Sequence, residues 1–206
     1  MYENFKYLDA VAQKEITKGV FSGSVLSVIH KGETVYLKSF GLADKEKNIP
    51  MKTDSIFRLF SMSKPVTAAA AMILIERGLL DTRHLLKWFI TEFSDPVVLD
   101  ENGERPADRD ITIGDLLTMT SGIPYPDGTP AGQKMGALWG EQSEKYLKGE
   151  KLLDTVSFAK EMGKRPLMFT PGEKWMYGAS ADIMGAVIEV VSGMKFGDFL
   201  RKEIFE

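Results

Sequence analysis

The sequence predicts an α+β fold, in which a helical region packs on an antiparallel sheet, from two observations. First, β-rich runs at 24–30 and 33–40 are joined by a Lys-Gly pair, which is typical of a β-hairpin. Second, an apolar helix is predicted to begin near Ser61 and to stop at Gly78, and helical periodicity returns in most later segments. Because a lone hairpin is marginal in water, the sheet needs further strands or a covering partner.

Each predicted helix has its own evidence in the sequence. The helix near Ser61 is apolar nearly all round, which predicts a central, buried helix, and Pro65 fits its first turn. The stretch at 95–110 is turn-rich and polar. The other predicted helices are 3–18, a short one from near Thr112 to Gly122, 130–148, 154–163, one that ends at Gly193, and 196–205.

The composition limits the possible functions. With 44% hydrophobic and 27% charged residues, the chain is typical of a soluble globular protein. The net charge is −3, and the Lys and Arg residues are scattered along the sequence. Nucleic acid is therefore not an expected partner. The sequence has no cysteine and no metal-binding motif, so we expect neither a disulfide nor a metal or other cofactor. It has neither a signal peptide nor an apolar run long enough for a membrane span, which predicts a cytoplasmic chain.

Three S-x-x-K sequences are candidate catalytic pairs: Ser61 with Lys64, Ser157 with Lys160, and Ser192 with Lys195. Only the first pair lies in the first turn of the predicted buried helix, where residues three apart face the same way. There, the helix dipole and desolvation are expected to lower the pKa of Lys64, so that its neutral amine can act as a base. The second pair is predicted on a solvated helix, and a glycine that stops a helix separates the third. The alternative is that Ser61 only caps its helix.

A catalytic triad with histidine is not supported by the sequence. Only two histidines occur, His30 at the predicted hairpin turn and His84 in a polar stretch, and each is expected to be structural or solvent-facing. A G-x-S-x-G elbow is also absent from the sequence. A hydrolytic serine in this chain therefore needs a lysine or a tyrosine as its base.

Four stretches resemble, in order and spacing, the serine β-lactamase and penicillin-binding-protein-like superfamily: GSVLSVIHKGETVYLKSFGLAD, SIFRLFSMSKPVTAAAAMILIERGLL, ITIGDLLTMTSGIP and FTPGEKWMYGASADIMGAVIEVVSG. The resemblance covers roughly residues 20–206 and is closest to class C β-lactamases and their relatives, the family VIII carboxylesterases. It implies a β-lactamase-like fold. It also implies that Ser61 is the acylated nucleophile, Lys64 its base or proton shuttle, and Tyr177 the second proton-transfer group.

The resemblance also implies residues of the substrate pocket. Tyr125 and Pro126 follow the TSGIP sequence, where the family places a loop beside the acyl site. Trp175 and Trp139 are large apolar residues that are candidates for the floor of this pocket, and core packing is the alternative for each.

One position departs from the family pattern and bears on the substrate. The family's Tyr-x-Asn motif falls on Tyr177-Gly178-Ala179, and alanine has no amide with which to hold the acyl amide of a lactam or peptide. We therefore predict a serine hydrolase that forms an acyl-enzyme, a carboxylesterase for small or short-chain esters. A β-lactamase or D-amino-acid peptidase acting on an amide stays an alternative, as does a non-catalytic binding protein or inactive fragment.

The resemblance finally predicts one incomplete domain over residues 1–206. Residues 20–80 would hold the hairpin and the nucleophile helix, 81–180 the helical region with the tyrosine motif, and 181–206 the helices that lead toward absent strands. In the family, one such strand carries a third motif that supplies the second oxyanion-hole amide. We therefore expect the C-terminal strands in a longer chain, in a C-terminal fragment or in a second chain that completes the fold.

Overall fold

The computed structural model describes residues 5–206, which form two compact units that divide between residues 59 and 60. The single domain predicted from the sequence stays a prediction. The elements of the first unit are α1 (Lys6–Thr17), β1 (Gly23–His30), β2 (Glu33–Asp44) and β3 (Ile49–Pro50). Those of the second unit are α2 (Ser63–Glu76), β4 (Val97–Asp100), β5 (Gly103–Pro106), α3 (Ile113–Leu117), α4 (Pro130–Leu147), α5 (Thr155–Gly163), α6 (Ser180–Ser192) and α7 (Phe196–Leu200).

The predicted hairpin is confirmed in the first unit. Strands β1 and β2 pair in antiparallel fashion, and both turn residues, Lys31 and Gly32, have positive φ, as the tight turn between twisted strands requires. Strand β2 extends beyond its predicted end because Leu42 and Asp44 pair with β3.

Helix α1 is attached to the hairpin through one carboxylate. Asp9 accepts hydrogen bonds from the Tyr36 hydroxyl at 2.5 Å and from the Lys38 ammonium at 2.6 Å. The start of the helix predicted at 3–18 lies outside the described residues. Within them, α1 covers 6–17, as its apolar periodicity predicts.

Helix α6 is the centre of the second unit. It packs against α2, α3, α5 and α7, and apolar residues fill its buried face, including Ile183, Val187 and Ile188. It ends at Ser192, and Gly193, which the sequence predicts as the helix stop, follows in the left-handed conformation. Helices α4 and α5 also lie where the sequence predicts them, and the last predicted helix consists of α7 followed by a π-turn at Arg201–Phe205.

The prediction that α2 is buried all round is wrong for the described residues. One face of this helix, which includes Ala70 and Leu74, packs into the core, but Met72 is 52% exposed. A short 3₁₀ turn at Phe60–Met62 precedes the helix, and Gly78 stops it in the left-handed conformation, as predicted. Among the described residues, no helix is long and apolar enough to cross a membrane.

The polar stretch at 95–110 contains an unexpected hairpin, formed by β4 and β5. Its buried strand is held by partners from distant sequence: the Leu99 amide donates to the Leu167 carbonyl at 2.9 Å, and the Leu167 amide donates to the Val97 carbonyl at 2.7 Å. Only three apolar residues mark β4 in the sequence, and β5 is exposed throughout. Long-range pairing therefore creates a strand that local periodicity does not signal.

Helix α3 begins where predicted but ends before Gly122, because a buried carboxylate folds the chain back. Thr112 and Asp115 form a capping box, in which each side chain accepts from the other residue's amide. Arg109 donates to both Asp115 carboxylate oxygens at 2.8 Å, and the Thr120 hydroxyl donates to the same group at 3.0 Å. Met119 has a positive φ and leaves the helical path. Asp115 therefore fixes the start of the loop that continues to Tyr125.

We expect Asp115→Asn to lower the free energy of unfolding by about 2 kcal/mol at neutral pH, because Arg109 and Thr112 lose their charged acceptor. Burial raises the pKa of Asp115, but the hydrogen bonds from Arg109 and Thr112 outweigh it and hold this pKa below 3.8. The stabilisation is therefore present above pH 3.8 and is lost as the pH falls through the folded-state value. Urea unfolding at several pH values measures this. An unchanged difference between wild type and variant in strong acid would contradict it.

Candidate active site

Ser61 and Lys64 come together where α2 begins. Ser61 lies in the 3₁₀ turn before the helix, and the Lys64 ammonium donates a hydrogen bond to its Oγ at 3.2 Å. Phe60, the preceding residue, has φ of +48°, a conformation that is costly for a bulky side chain. The chain thus makes a strained turn at the serine, and the predicted Ser-Lys pair is in contact.

Tyr177 completes a three-residue cluster with this pair. Its hydroxyl donates a hydrogen bond to Ser61 Oγ, and the Lys64 ammonium lies 4.6 Å from the centroid of its ring. The three residues predicted as catalytic therefore meet at one point, although they come from two segments more than a hundred residues apart.

Backbone contacts between two loops position Tyr177. The Met176 amide donates to the Met119 carbonyl at 3.0 Å, and the Ala179 amide donates to the Ile123 carbonyl at 3.2 Å. A Cβ on Gly178 would collide with the Ile123 carbonyl oxygen, so glycine is required there for the close approach.

A buried pair of serines joins the same two loops. The hydroxyls of Ser121, from the TSGIP sequence, and Ser180, the first residue of α6, are 2.8 Å apart. Ser121 Oγ also accepts from the Ile123 amide at 3.2 Å. The TSGIP loop and the start of α6 therefore form one connected support for Tyr177.

Tyr125 is the second phenol beside Lys64. The Lys64 ammonium donates to the Tyr125 hydroxyl oxygen at 3.2 Å, and this hydroxyl donates to Asp182 Oδ2 at 2.8 Å. The rings of Tyr125 and Tyr177 have centroids 5.9 Å apart. Sequence reasoning missed Asp182; its signal is a carboxylate in the first turn of a strongly apolar helix.

The prediction that Lys64 has a lowered pKa is wrong. Desolvation by burial does act to lower it, but the hydrogen bonds and charge interactions with Tyr177 and Tyr125 outweigh burial and raise the pKa of Lys64. Two phenol oxygens from distant segments lie close to the ammonium, and the local sequence around Lys64 does not reveal them. Lys64 is therefore a charged donor at neutral pH.

The two tyrosines are shifted in opposite directions. The hydrogen bond from Lys64, followed by the one with Ser61, holds the pKa of Tyr177 below its usual value of 10.0. Desolvation by burial, followed by the nearby Asp182 charge, raises the pKa of Tyr125 to about 12. Groups whose environments separate their pKa values in this way indicate acid-base assignments. Tyr177 is suited to exchange a proton with Ser61, whereas Tyr125 stays neutral and orients Lys64.

A cavity of about 560 Å³ opens beside the cluster. Ser61, Lys64 and Tyr125 line it, and its apolar wall includes Leu153, Phe158 and Phe196, which sequence reasoning did not single out.

Other predicted pocket residues lie elsewhere. Pro126 and Trp175 are exposed and lie outside the cavity lining, and Trp139 packs edge-on against the Tyr125 ring at 5.8 Å. Ala179 is fully buried in the core. The described residues contain no group of three or more potential metal ligands.

The competing sequence patterns have structural roles. Lys160 forms an ion pair with Glu92 at 3.6 Å, and Ser192 donates to the Ile188 carbonyl within its own helix. Lys195 donates to Glu189 at 3.3 Å, and His84 accepts from the Asp81 amide in a turn. The lysines of the two other S-x-x-K sequences therefore pair with carboxylates.

Comparison with known proteins supports the resemblance seen in the sequence. The family model described as Beta-lactamase matches residues 8–206. The chain belongs to the beta-lactamase family. It is 34% identical to Esterase EstB of Burkholderia gladioli over 189 residues, which are 90% of this chain and 45% of that protein. It is 31% identical to Penicillin-binding protein 4* of Bacillus subtilis, covering 97% of this chain and 39% of that protein.

A solved structure of this family has the same fold. EstCE1, described as a hydrolase with promiscuous acyltransferase activity, matches with a TM-score of 0.79 and 27% identity, over 97% of this chain and 50% of that one. The predicted β-lactamase-like α+β fold is thereby confirmed. The chain spans about half the length of the relatives that it matches.

We expect the rate at which a fluorophosphonate labels Ser61 to rise with pH through one ionisation below 10, because the pKa of Tyr177 is lowered. In Lys64→Met the phenol loses its main stabilising partner, so this midpoint should move up toward 10 and labelling at neutral pH should slow by about 10²–10⁴-fold. Stopped-time labelling across pH measures both effects.

Lys160→Met is the matched control, since it removes the lysine of another S-x-x-K sequence and should leave the profile unchanged. Equal midpoints in wild type and Lys64→Met would refute the assignment of Tyr177.

Proposed function

We propose that this chain carries the catalytic centre of a serine carboxylesterase that acts on small or short-chain esters through an acyl-enzyme on Ser61. One observation carries the proposal: Ser61 Oγ is hydrogen-bonded to both Tyr177 and Lys64. A nucleophile in contact with a phenol of lowered pKa and a fixed cation is the arrangement that a histidine-free serine hydrolase needs.

The proposed reaction begins with Tyr177 as phenolate. Ser61 transfers its proton to the Tyr177 oxygen while Oγ attacks the ester carbonyl carbon and the carbonyl oxygen takes the negative charge. When the tetrahedral intermediate collapses, the C–O bond to the alcohol breaks and Tyr177 gives its proton to the leaving oxygen. A water then attacks the acyl-enzyme by the same route, which releases the acid and restores Ser61. Lys64 stays charged and stabilises the phenolate throughout.

We also propose that the oxyanion is held by two amides from different parts of the polypeptide. The Ser61 amide, at the positive end of α2, is one donor. The relatives are about twice as long as this chain, so we assign the second donor to polypeptide outside residues 5–206, in the same chain or in a second one.

Esters are favoured over lactams and peptides at this site. Ala179 occupies the family's asparagine position and is fully buried, so its side chain offers nothing to an amide substrate. The similarity to Esterase EstB and to the hydrolase EstCE1 supports the same choice. The similarity to Penicillin-binding protein 4* supports a D-amino-acid peptidase as the second candidate.

We expect a fluorophosphonate probe to label the full natural polypeptide at Ser61, and mass spectrometry of the tryptic peptide to locate the adduct. Ser61→Ala should abolish labelling, whereas Ser63→Ala, two residues along the same turn, should retain it. Absence of labelling in a folded wild-type protein would favour a non-catalytic binding protein.

Substrate assays then separate the candidate enzymes. The unlabelled full natural polypeptide should hydrolyse p-nitrophenyl butyrate and leave nitrocefin and D-alanyl peptides essentially unchanged. Faster turnover of nitrocefin or of the peptides than of the ester would contradict the esterase assignment.

The proposal for the oxyanion site has its own test. If the second donor lies outside residues 5–206, the purified 206-residue chain should hydrolyse p-nitrophenyl butyrate about 10²–10³-fold more slowly than the full natural polypeptide. Circular dichroism of both proteins controls for loss of the fold. Equal rates would show that residues 1–206 contain the whole oxyanion site.

A further inference from the structure

A second cavity lies beside the candidate active site, between the C-terminal half of α4 and the segment that leads into α5. It has a volume of about 440 Å³, and we call it the α4–α5 groove. Its apolar lining consists of Trp139, Tyr146, Leu147, Leu152, Leu153 and Phe158.

The groove exposes an unusual amount of apolar surface for the end of a helix. Leu147 is 82% exposed and Tyr146 71% exposed, although both lie in the last turn of α4. Single exposed apolar residues are ordinary, but a contiguous group that also lines a cavity is typical of a binding surface. This surface therefore suits an apolar ligand.

The groove adjoins the catalytic cavity. Leu153 and Phe158 line both cavities. The Trp139 ring lines the groove, and its centroid lies 5.3 Å from that of Phe158 and 5.8 Å from that of Tyr125, which lines the catalytic cavity. Because Tyr125 accepts a hydrogen bond from Lys64, the groove begins one aromatic ring away from the catalytic cluster.

Two hydrogen bonds fix the loop before α5, which forms one wall of the groove. Gln142, on α4, accepts from the Leu153 amide at 3.0 Å and thereby attaches the loop before α5 to the helix. Asp154 accepts from the Ser157 amide at 2.8 Å and caps α5. The loop that forms one wall is therefore already ordered, which lowers the entropy cost of binding a ligand there.

We propose that the α4–α5 groove binds the distal part of a medium-chain acyl group while its carbonyl carbon is attached to Ser61. The inference rests on the proposed function and extends its substrates from short esters to acyl chains such as octanoyl. The acyl part is chosen over the alcohol because the cavity that joins the groove is lined by Ser61 and Lys64, whereas Tyr177, which protonates the leaving alcohol, lies outside that lining.

Chain-length profiles of the full natural polypeptide test the proposal. Each methylene buried in the groove should raise kcat/KM by up to about fourfold, so wild type should prefer p-nitrophenyl octanoate to p-nitrophenyl acetate. Leu147→Asp places a charge in the groove and should lower the octanoate-to-acetate ratio by about tenfold or more.

Leu79→Asp is the matched control, because Leu79 is also an exposed leucine but lies outside both cavities. It should keep the wild-type ratio. If Leu147→Asp and Leu79→Asp have the same ratio as wild type, the groove does not bind the acyl chain and the proposal fails.

A second ester series identifies which part of the substrate enters the groove. Octyl acetate and ethyl acetate differ only in the alcohol, so Leu147→Asp should leave the ratio of their kcat/KM values unchanged. A loss confined to octyl acetate would overturn the assignment to the acyl group.

A binding measurement separates this proposal from the proposed function. In the Ser61→Ala variant, ω-bromodecanoate should quench tryptophan fluorescence in a saturable manner. Adding Trp139→Phe to this variant should remove the quenching. Quenching without any labelling of wild-type Ser61 would leave the groove assigned and the esterase proposal refuted. Labelling of Ser61 without quenching of Trp139 fluorescence would refute the groove proposal alone.

Discussion

The candidate site depends on the close contact between the TSGIP loop and the segment that carries Tyr177. Two backbone hydrogen bonds, the buried Ser121 and Ser180 hydroxyls, and a glycine without space for a Cβ hold these segments together. Because Tyr125 extends from one segment and Tyr177 from the other, the same contact places both phenols around Lys64. This contact therefore supports the arrangement of both tyrosines around the lysine.

The charge distribution around Lys64 gives the two tyrosines different chemical roles. Tyr177 interacts with the ammonium and with Ser61, so its ionised form is favoured. Tyr125 is more buried and faces the Asp182 carboxylate, so its neutral form is favoured. Two residues of the same type thus differ because the hydrogen bond from Lys64 has the largest effect on the pKa of Tyr177, whereas desolvation by burial, followed by the Asp182 charge, has the largest effect on that of Tyr125. Asp182 accepts a hydrogen bond from Tyr125, and its charge also acts to raise the pKa of Tyr177.

The sequence predicted the elements that have strong local signals. Apolar periodicity and terminal glycines located α2, α4, α5 and α6, and the Lys-Gly turn located the first hairpin. The hairpin of β4 and β5 was missed because its pairing with Leu167 is distant in sequence, and α3 ends early because Asp115 draws Thr120 back toward it. The burial of α2 was also overestimated. Its residue types show that the helix is apolar, but which of its faces is covered depends on helices that are distant in sequence.

The sequence pattern singled out Ser61 and Lys64 as candidates, because the absence of cysteine and the poorly placed histidines left few other chemistries, and the family resemblance added Tyr177. The protonation of Lys64 depends on the tertiary structure, since its pKa is raised by phenol oxygens from two distant segments. Folding also brings Asp182 into contact with Tyr125, places the α4–α5 groove beside the cavity and leaves Trp175 outside the lining of both. Electrostatic effects and cavity walls arise from atoms brought together by folding, and a linear pattern does not contain their distances.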